Sequence, residues 1–215
     1  MLVARDYSRY PELFRTGGTF PYQEHDRAFL SGVAQGLRTL PRQFLDAVLP
    51  KLPALETRLS TRANILDVGC GGGFALVEFA ERFPNVRCTG IDMEPVSIQM
   101  AHELIRTQGL ADRVEACLVG GESLPPEFAG AFDLVTMFLV LHEIRPELKE
   151  TVLKQCAQAL RPGGQLLIFD ERYPSGPAEL RDPLLIFTVM DLGQSNQHPS
   201  GNPRPPGPRG PTSDR

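Results

Sequence analysis

The sequence predicts an α/β fold: a doubly wound, mainly parallel sheet with helices on both faces. Strand-like and helix-like stretches alternate from Asn64 onward. The strand-like runs are almost continuously apolar, as in strands covered on both faces. Three glycines, Gly71 to Gly73, stand where the first such run passes into a helical pattern. With 215 residues, 41% hydrophobic and 22% charged, the chain can bury the core that such a sheet needs.

Period counting gives the elements in order. Between Asp26 and Leu40, Phe29, Leu30, Val33, Leu37 and Leu40 follow helical spacing, and Pro41 is suited to open a second helix carrying Phe44, Leu45, Val48 and Leu49. Two packing helices are thus expected before the glycine run. Then come the strand NILDVG, the helix FALVEFAERF, the strand VRCTGID, the helix EPVSIQMAHELIRTQGL, the strands RVEACLV and FDLVTMFLV, the helix ELKETVLKQCAQAL and the strand GQLLIFD. A helix over AELRDPLLIFTVMDLG is expected next. Beyond it GQSNQHPSGNPRPPGPRGPTSDR is nearly all Pro, Gly and polar residues, a composition expected to stay disordered. The expected organisation is an N-terminal helical lid over 1–62, a ligand-binding domain over 63–193 and a tail over 194–215.

Composition narrows the partners. A net charge of −4 lacks the basic excess used on phosphate backbones, so no nucleic acid is expected. No apolar run approaches the roughly 20 residues of a membrane span, and MLVARDYSRYPELFR has no signal-peptide core, so the expectation is no membrane and a cytoplasmic location. Cys70, Cys88, Cys117 and Cys156 are scattered without metal-ligand spacing; they read as reduced and structural, with no metal. His25 and His102 read as surface residues.

In a doubly wound sheet a ligand sits outside the carboxyl ends of the strands, where the first strand turns into its helix. Gly69, Gly71 and Gly73 fall at that turn, and Asp92 ends the next strand roughly 20 residues on, the offset at which an acid meets a ribose hydroxyl pair. A nucleotide-like ligand follows. The dinucleotide fingerprint wants Gly or Ala where Phe74 stands, and Asp67 lies two residues before the first glycine, so a nucleotide-dependent oxidoreductase fits poorly.

Here the sequence resembles the class I S-adenosylmethionine-dependent methyltransferases, a Rossmann-like family. ILDVGCGGG is similar to their first motif, TGIDMEP to the second, FDLVTMFLVLHEI to the fourth-strand motif and LRPGGQLLIFDE to the fifth, over about Asn64 to Glu171. The resemblance implies S-adenosyl-L-methionine as cofactor, with Asp67 and the amides of Gly69, Cys70 and Gly71 holding its amino-acid end. It implies Asp92 on the ribose hydroxyls, Met93 packed on the adenine, and Met137 and Phe138 walling the pocket beneath the sulfonium. The family often has an Asp facing the adenine amino group where this chain has Gly120; the amide of Gly121 and the carboxylate of Glu122 are the expected substitutes.

The implied activity is methyl transfer to a small-molecule acceptor by in-line displacement, which needs alignment and a dry pocket more than an acid or base. With a hydroxyl acceptor a base helps, and His142, beside Glu143, follows the fourth strand at the ligand end. Histidine there also serves as a loop cap. Asp170 and Glu171 end the fifth strand on the same rim. Phe20 and Tyr22 are expected to anchor the lid or pack the first helix. Family members close the sheet with two further strands, and nothing after Gly193 reads as one. The expectations are therefore a domain lacking its last two strands, self-association through the exposed edge, and, as the alternative, cofactor binding with weak or no turnover.

Overall fold

The computed structural model describes residues 8–18 and 25–170. The helix expected after the fifth strand, the tail, Glu171, Phe20 and Tyr22 lie outside the described residues. Five strands form one all-parallel sheet in the order β3-β2-β1-β4-β5: β1 Asn64–Val68, β2 Arg87–Asp92, β3 Val114–Leu118, β4 Phe132–Phe138 and β5 Leu160–Phe169. Each matches an expected apolar run to within a few residues. β1 lies at the centre because both of its edges are paired, to β2 and to β4.

The helices are α1 Tyr10–Thr16, α2 Arg27–Leu37, α3 Thr39–Gln43, α4 Pro53–Thr61, α5 Phe74–Arg82, α6 Pro95–Thr107 and α7 Pro146–Ala159. α2 starts where Asp26 accepts the Phe29 N–H at 2.9 Å, and α6 where buried Glu94 accepts the Ser97 N–H, each satisfying an amide the first turn leaves over. The second expected helix is irregular: after α3 the chain widens into a π turn over Phe44–Val48 and tightens into a 3-10 turn over Leu49–Lys51. α1 and α4 were not expected. α4 carries little more than Leu55 and Leu59 on its apolar side, too short a pattern for period counting, yet both side chains are buried.

Two apolar layers flank the sheet. On one face Phe44, Leu45, Leu49, Leu55 and Leu59 join Ile65, Leu76, Phe79, Ile98 and Leu134 in a single cluster. The helices before β1 therefore share the core of the sheet. On the other face Val152 and Cys156 of α7 pack on Leu66, Val68, Ile91, Val135 and Met137. Cys70, Cys88 and Cys156 are buried free thiols; burial pushes Cys88 up to about 12 and Cys156 up to about 11, which keeps both unreactive. His25, expected on the surface, is buried and stacked at a 3.7 Å centroid distance on Phe29, four residues further along the chain in α2. No described helix is long and apolar enough to cross a membrane.

The amino end of the sheet is held by one carboxylate. Asp133, 1% exposed, accepts the Asn64 N–H at 2.8 Å through Oδ2. Its Oδ1 receives no well-aligned hydrogen bond, but the Arg161 guanidinium lies against it and Arg58 Nη1 stands 3.7 Å away. Arg161 reaches it from a bulge at the start of β5, where Leu160 pairs with Phe132 and the ladder resumes at Gln165 opposite Leu134. Arg58 ties that bulge down by donating to the Gly163 carbonyl at 2.8 Å.

Asp133→Ala orphans the Asn64 amide and is expected to cost roughly 1–3 kcal/mol in urea unfolding. Arg161→Gln removes a half-exposed partner and is expected to cost about 0–1 kcal/mol. A larger loss for the arginine would place the stabilising contact elsewhere.

Candidate functional site

The carboxyl ends of β1, β2 and β4 meet at the glycine turn. Gly69 and Cys70 donate their N–H groups to the Ile91 carbonyl at 2.8 and 2.9 Å, which straps the turn to β2. Gly71 donates to Asp92 Oδ2 at 2.9 Å, and Glu94 donates to Asp92 Oδ1 at 2.8 Å. The three amides expected to face a ligand therefore already have acceptors, because β2 brings one carbonyl and one carboxylate directly beneath them. Space at the turn is uneven. A Cβ at Gly69 would collide with both methyls of Val140, whereas one at Gly71 would meet nothing within 4 Å. The open approach to the backbone is at Gly71.

Asp92 is mostly buried, and burial pushes its carboxyl up, opposed by the bonds from Glu94 and Gly71. A carboxylate has about four lone-pair positions, so these two bonds leave it able to accept hydroxyl donors. Met93 beside it is 61% exposed, an apolar shelf at the edge of β2, with Leu118 of β3 56% exposed as the residue paired to Asp92. Gly120 and Glu122 are joined: a Cβ at Gly120 would stand 2.6 Å from both carboxylate oxygens of Glu122. The Glu122 carboxylate thus lies over the backbone where the resemblance expects an acid from residue 120. Gly121 sits between Val68 and Val152, where a Cβ would be 3.2 Å from each.

Asp67 lies beneath the turn, 2% exposed, its Oδ1 accepting the Thr136 hydroxyl at 2.6 Å. No part of its carboxylate is open to the turn above it. Met137 is fully buried against α7 and faces no opening; Phe138, at the same strand end, stays partly exposed and packs its ring near Phe44, Phe79 and Phe169. The alternation of strand side chains separates the two residues that the resemblance puts on one wall.

At the end of β4 the backbone of Leu139 is left-handed, with φ 56°. The chain then turns tightly, Glu143 donating to the Val140 carbonyl at 3.0 Å, and brings His142 to Asp170 at the end of β5. One carboxylate holds the residue twice: His142 Nδ1 lies 2.7 Å from Asp170 Oδ1, and the His142 N–H donates to Oδ2 at 3.2 Å. Glu143 Oε1 stands 3.9 Å from Nε2. Sequence reading placed Asp170 on the rim but did not pair it with His142; their meeting depends on β4 and β5 being neighbours. His102, read as surface, lies 2.7 Å from the Ala116 carbonyl through Nε2. Among the described residues no group of three His, Cys, Asp or Glu could hold a metal ion. The groove of about 330 Å³ lined by Arg42, Leu45, Glu78 and Arg82 lies away from the strand ends, bridged by the Arg42–Glu78 ion pair.

Residues 65–164 match a family profile described as a methyltransferase domain. Among curated proteins the chain is 35% identical over 107 residues to a ubiquinone biosynthesis O-methyltransferase of Pseudomonas aeruginosa strain UCBPP-PA14, covering 49% of this chain and 43% of that protein. It is 34% identical over 132 residues to the protein of the same name from Xanthomonas euvesicatoria pv. vesicatoria strain 85-10, covering 60% and 52%. The chain spans about half the length of these relatives. Among solved structures, one from Galdieria sulphuraria, provisionally assigned as a sarcosine dimethylglycine methyltransferase, shares 26% identity at a TM-score of 0.51 over 57% of this chain and 43% of its own. One from Nostoc punctiforme PCC 73102, provisionally assigned as an O-methyltransferase, shares the fold at a TM-score of 0.66 and 17% identity, over 90% of this chain and 57% of its own.

Burial, chiefly, pushes the Asp67 carboxyl up to about 7; the nearby Asp92 charge adds to this and the Thr136 hydroxyl opposes it. The folded state then holds a proton that the unfolded chain releases near pH 4. The group's contribution is complete below about pH 4, is lost as pH rises toward 7, and is a full penalty above 7. Asp67→Asn, which keeps an acceptor for Thr136, is expected to raise the melting temperature most above pH 7, the gain shrinking toward pH 4. A gain that grows on acidification would contradict this.

Proposed function

Residues 65–164 match the profile of a methyltransferase domain, and from that match we propose that the chain binds S-adenosyl-L-methionine and transfers its methyl group to a small-molecule hydroxyl acceptor. The observation that carries the reading is the Asp92 carboxylate at the end of β2, holding the Gly71 amide at a turn whose Cα is open. The residues present fit a nucleoside with a cationic end: a carboxylate for the ribose hydroxyls, exposed Met93 for the base, the Glu122 carboxylate to accept from its amino group and the Gly121 amide to donate to a ring nitrogen. The Gly69–Gly71 turn, with buried Asp67 beneath it, suits the amino-acid end. Phe138 lines the sulfur side, with Met137 packed behind it.

Bound there, S-adenosylmethionine supplies a methyl group activated by a positively charged sulfur. The protein's share is alignment and exclusion of water, and for a hydroxyl acceptor the removal of its proton. His142 is suited to that task because Asp170 fixes its Nδ1 side and its backbone together. An Nδ1–H donated to the carboxylate leaves Nε2 in the basic form, and the carboxylate steadies the imidazolium that results. The relatives' names, O-methyltransferases, support an oxygen acceptor. In the same reading the protein works in the cytoplasm, residues 63–193 form the catalytic domain with 1–62 capping it, and β5, an edge strand among the described residues with Ile168 37% exposed, is where copies would associate.

Asp92→Ala is expected to weaken S-adenosylmethionine binding by about 1.5–3 kcal/mol in calorimetry; unchanged affinity in a folded variant would mean the ribose is held elsewhere. His142→Ala is expected to slow methylation of a hydroxyl acceptor ~10²–10⁴-fold with cofactor affinity retained. A loss of tenfold or less would leave alignment as the whole mechanism.

A further inference from the structure

The collision that forbids a side chain at residue 69 comes from Val140, and Val140 belongs to the same tight turn as His142. Across this turn the backbone is fixed at several points. Leu139 donates to the Phe169 carbonyl at 2.8 Å while its own backbone is left-handed, a conformation unfavourable for a leucine and kept only where the surroundings dictate it. That reversal throws Val140 onto Gly69. Glu143 closes the turn on the Val140 carbonyl, and His142 is gripped by Asp170. The turn therefore has one foot on the glycine loop and the other on β5.

The glycine loop is in turn tied to Asp92 through the Gly71 amide and to β2 through the amides of Gly69 and Cys70. A continuous path of contacts runs from Asp92 to Gly71, Gly69, Val140 and His142. We propose that Val140 is a positioning residue, a wedge between the glycine turn and the His142 turn that sets the orientation of His142 according to whether the glycine turn is occupied. The ligand-dependent half of this inference rests on the cofactor reading above. The wedge itself does not, since the contact exists in the protein alone. Valine suits the role: it is β-branched, stiff at χ1, and presents two methyls to a backbone that has no Cβ.

The test follows the His142 ring proton and carbon resonances in full-length protein labelled at histidine, assigned by their absence in His142→Gln. In ligand-free protein, Val140→Ala is expected to shift the His142 titration midpoint, and Val140→Thr, which keeps the branched shape, to restore it. With S-adenosylhomocysteine added, the His142 signal is expected to move in the native protein and in Val140→Thr but to stay in place in Val140→Ala, with calorimetric affinity within about twofold throughout. With an acceptor in hand, Val140→Ala is expected to lower kcat roughly 10–100-fold at unchanged cofactor KM, the scale of a small misplacement. An unchanged midpoint in ligand-free Val140→Ala, or Val140→Thr behaving as Val140→Ala, overturns the wedge. Failure of the native protein to bind S-adenosylhomocysteine overturns the cofactor reading and with it the ligand-dependent half, while the ligand-free midpoints still decide the wedge.

Discussion

The candidate site depends on the hold that β2 keeps on the turn after β1. One carbonyl, Ile91, accepts two successive amides, and the next residue, Asp92, accepts a third. Three donors of a sharp turn are thus satisfied by two residues of one neighbouring strand. Without that, a run of glycines would be the most mobile part of the chain, since glycine gives up the most backbone freedom on folding. The parallel pairing of β1 with β2, which sets Val68 beside Ile91, makes the geometry possible. Everything proposed for the site, from the open Cα at Gly71 to the seat of Val140 on Gly69, presupposes this anchoring.

The sheet treats buried charge differently at its two ends. At the amino end Asp133 is met by two guanidinium groups and a backbone amide, so its charge is compensated and its work is structural. At the carboxyl end Asp67, Asp92 and Glu94 are carboxylates buried wholly or largely with hydroxyl and amide donors, and burial drives Asp67 and Asp92 toward their neutral forms. Stability alone would favour apolar residues there. A cluster held against its own solvation is suited to a ligand that brings positive charge, as the proposed cofactor would.

The His142–Asp170 pair and the Val140–Gly69 contact belong to the same few residues after β4. In this stretch the backbone is strained at Leu139, satisfied by β5 on one side and set against Gly69 of the turn after β1 on the other. Strain held in place by surrounding contacts is a usual mark of a functional loop, because it fixes a side chain that relaxed backbone would leave free.

Much of this was legible in the sequence. The five strands, the helices α2, α5, α6 and α7, the glycine turn and the acid ending β2 follow from local periodicity and from spacing along the chain, and such signals survive in one dimension because hydrogen bonds and side-chain faces repeat at fixed intervals. Helix α4 and the π turn at Phe44 left too little periodic signal. Tertiary structure alone decided which groups meet across strands: Asp170 with His142, Val140 with Gly69 and Thr136 with Asp67; it also showed Glu122 over Gly120 and His25 inside instead of outside. It also turned Met137 inward while leaving Phe138 at the rim. The pairings across strands join residues far apart in sequence, and their identity depends on strand order and register, which periodicity does not encode.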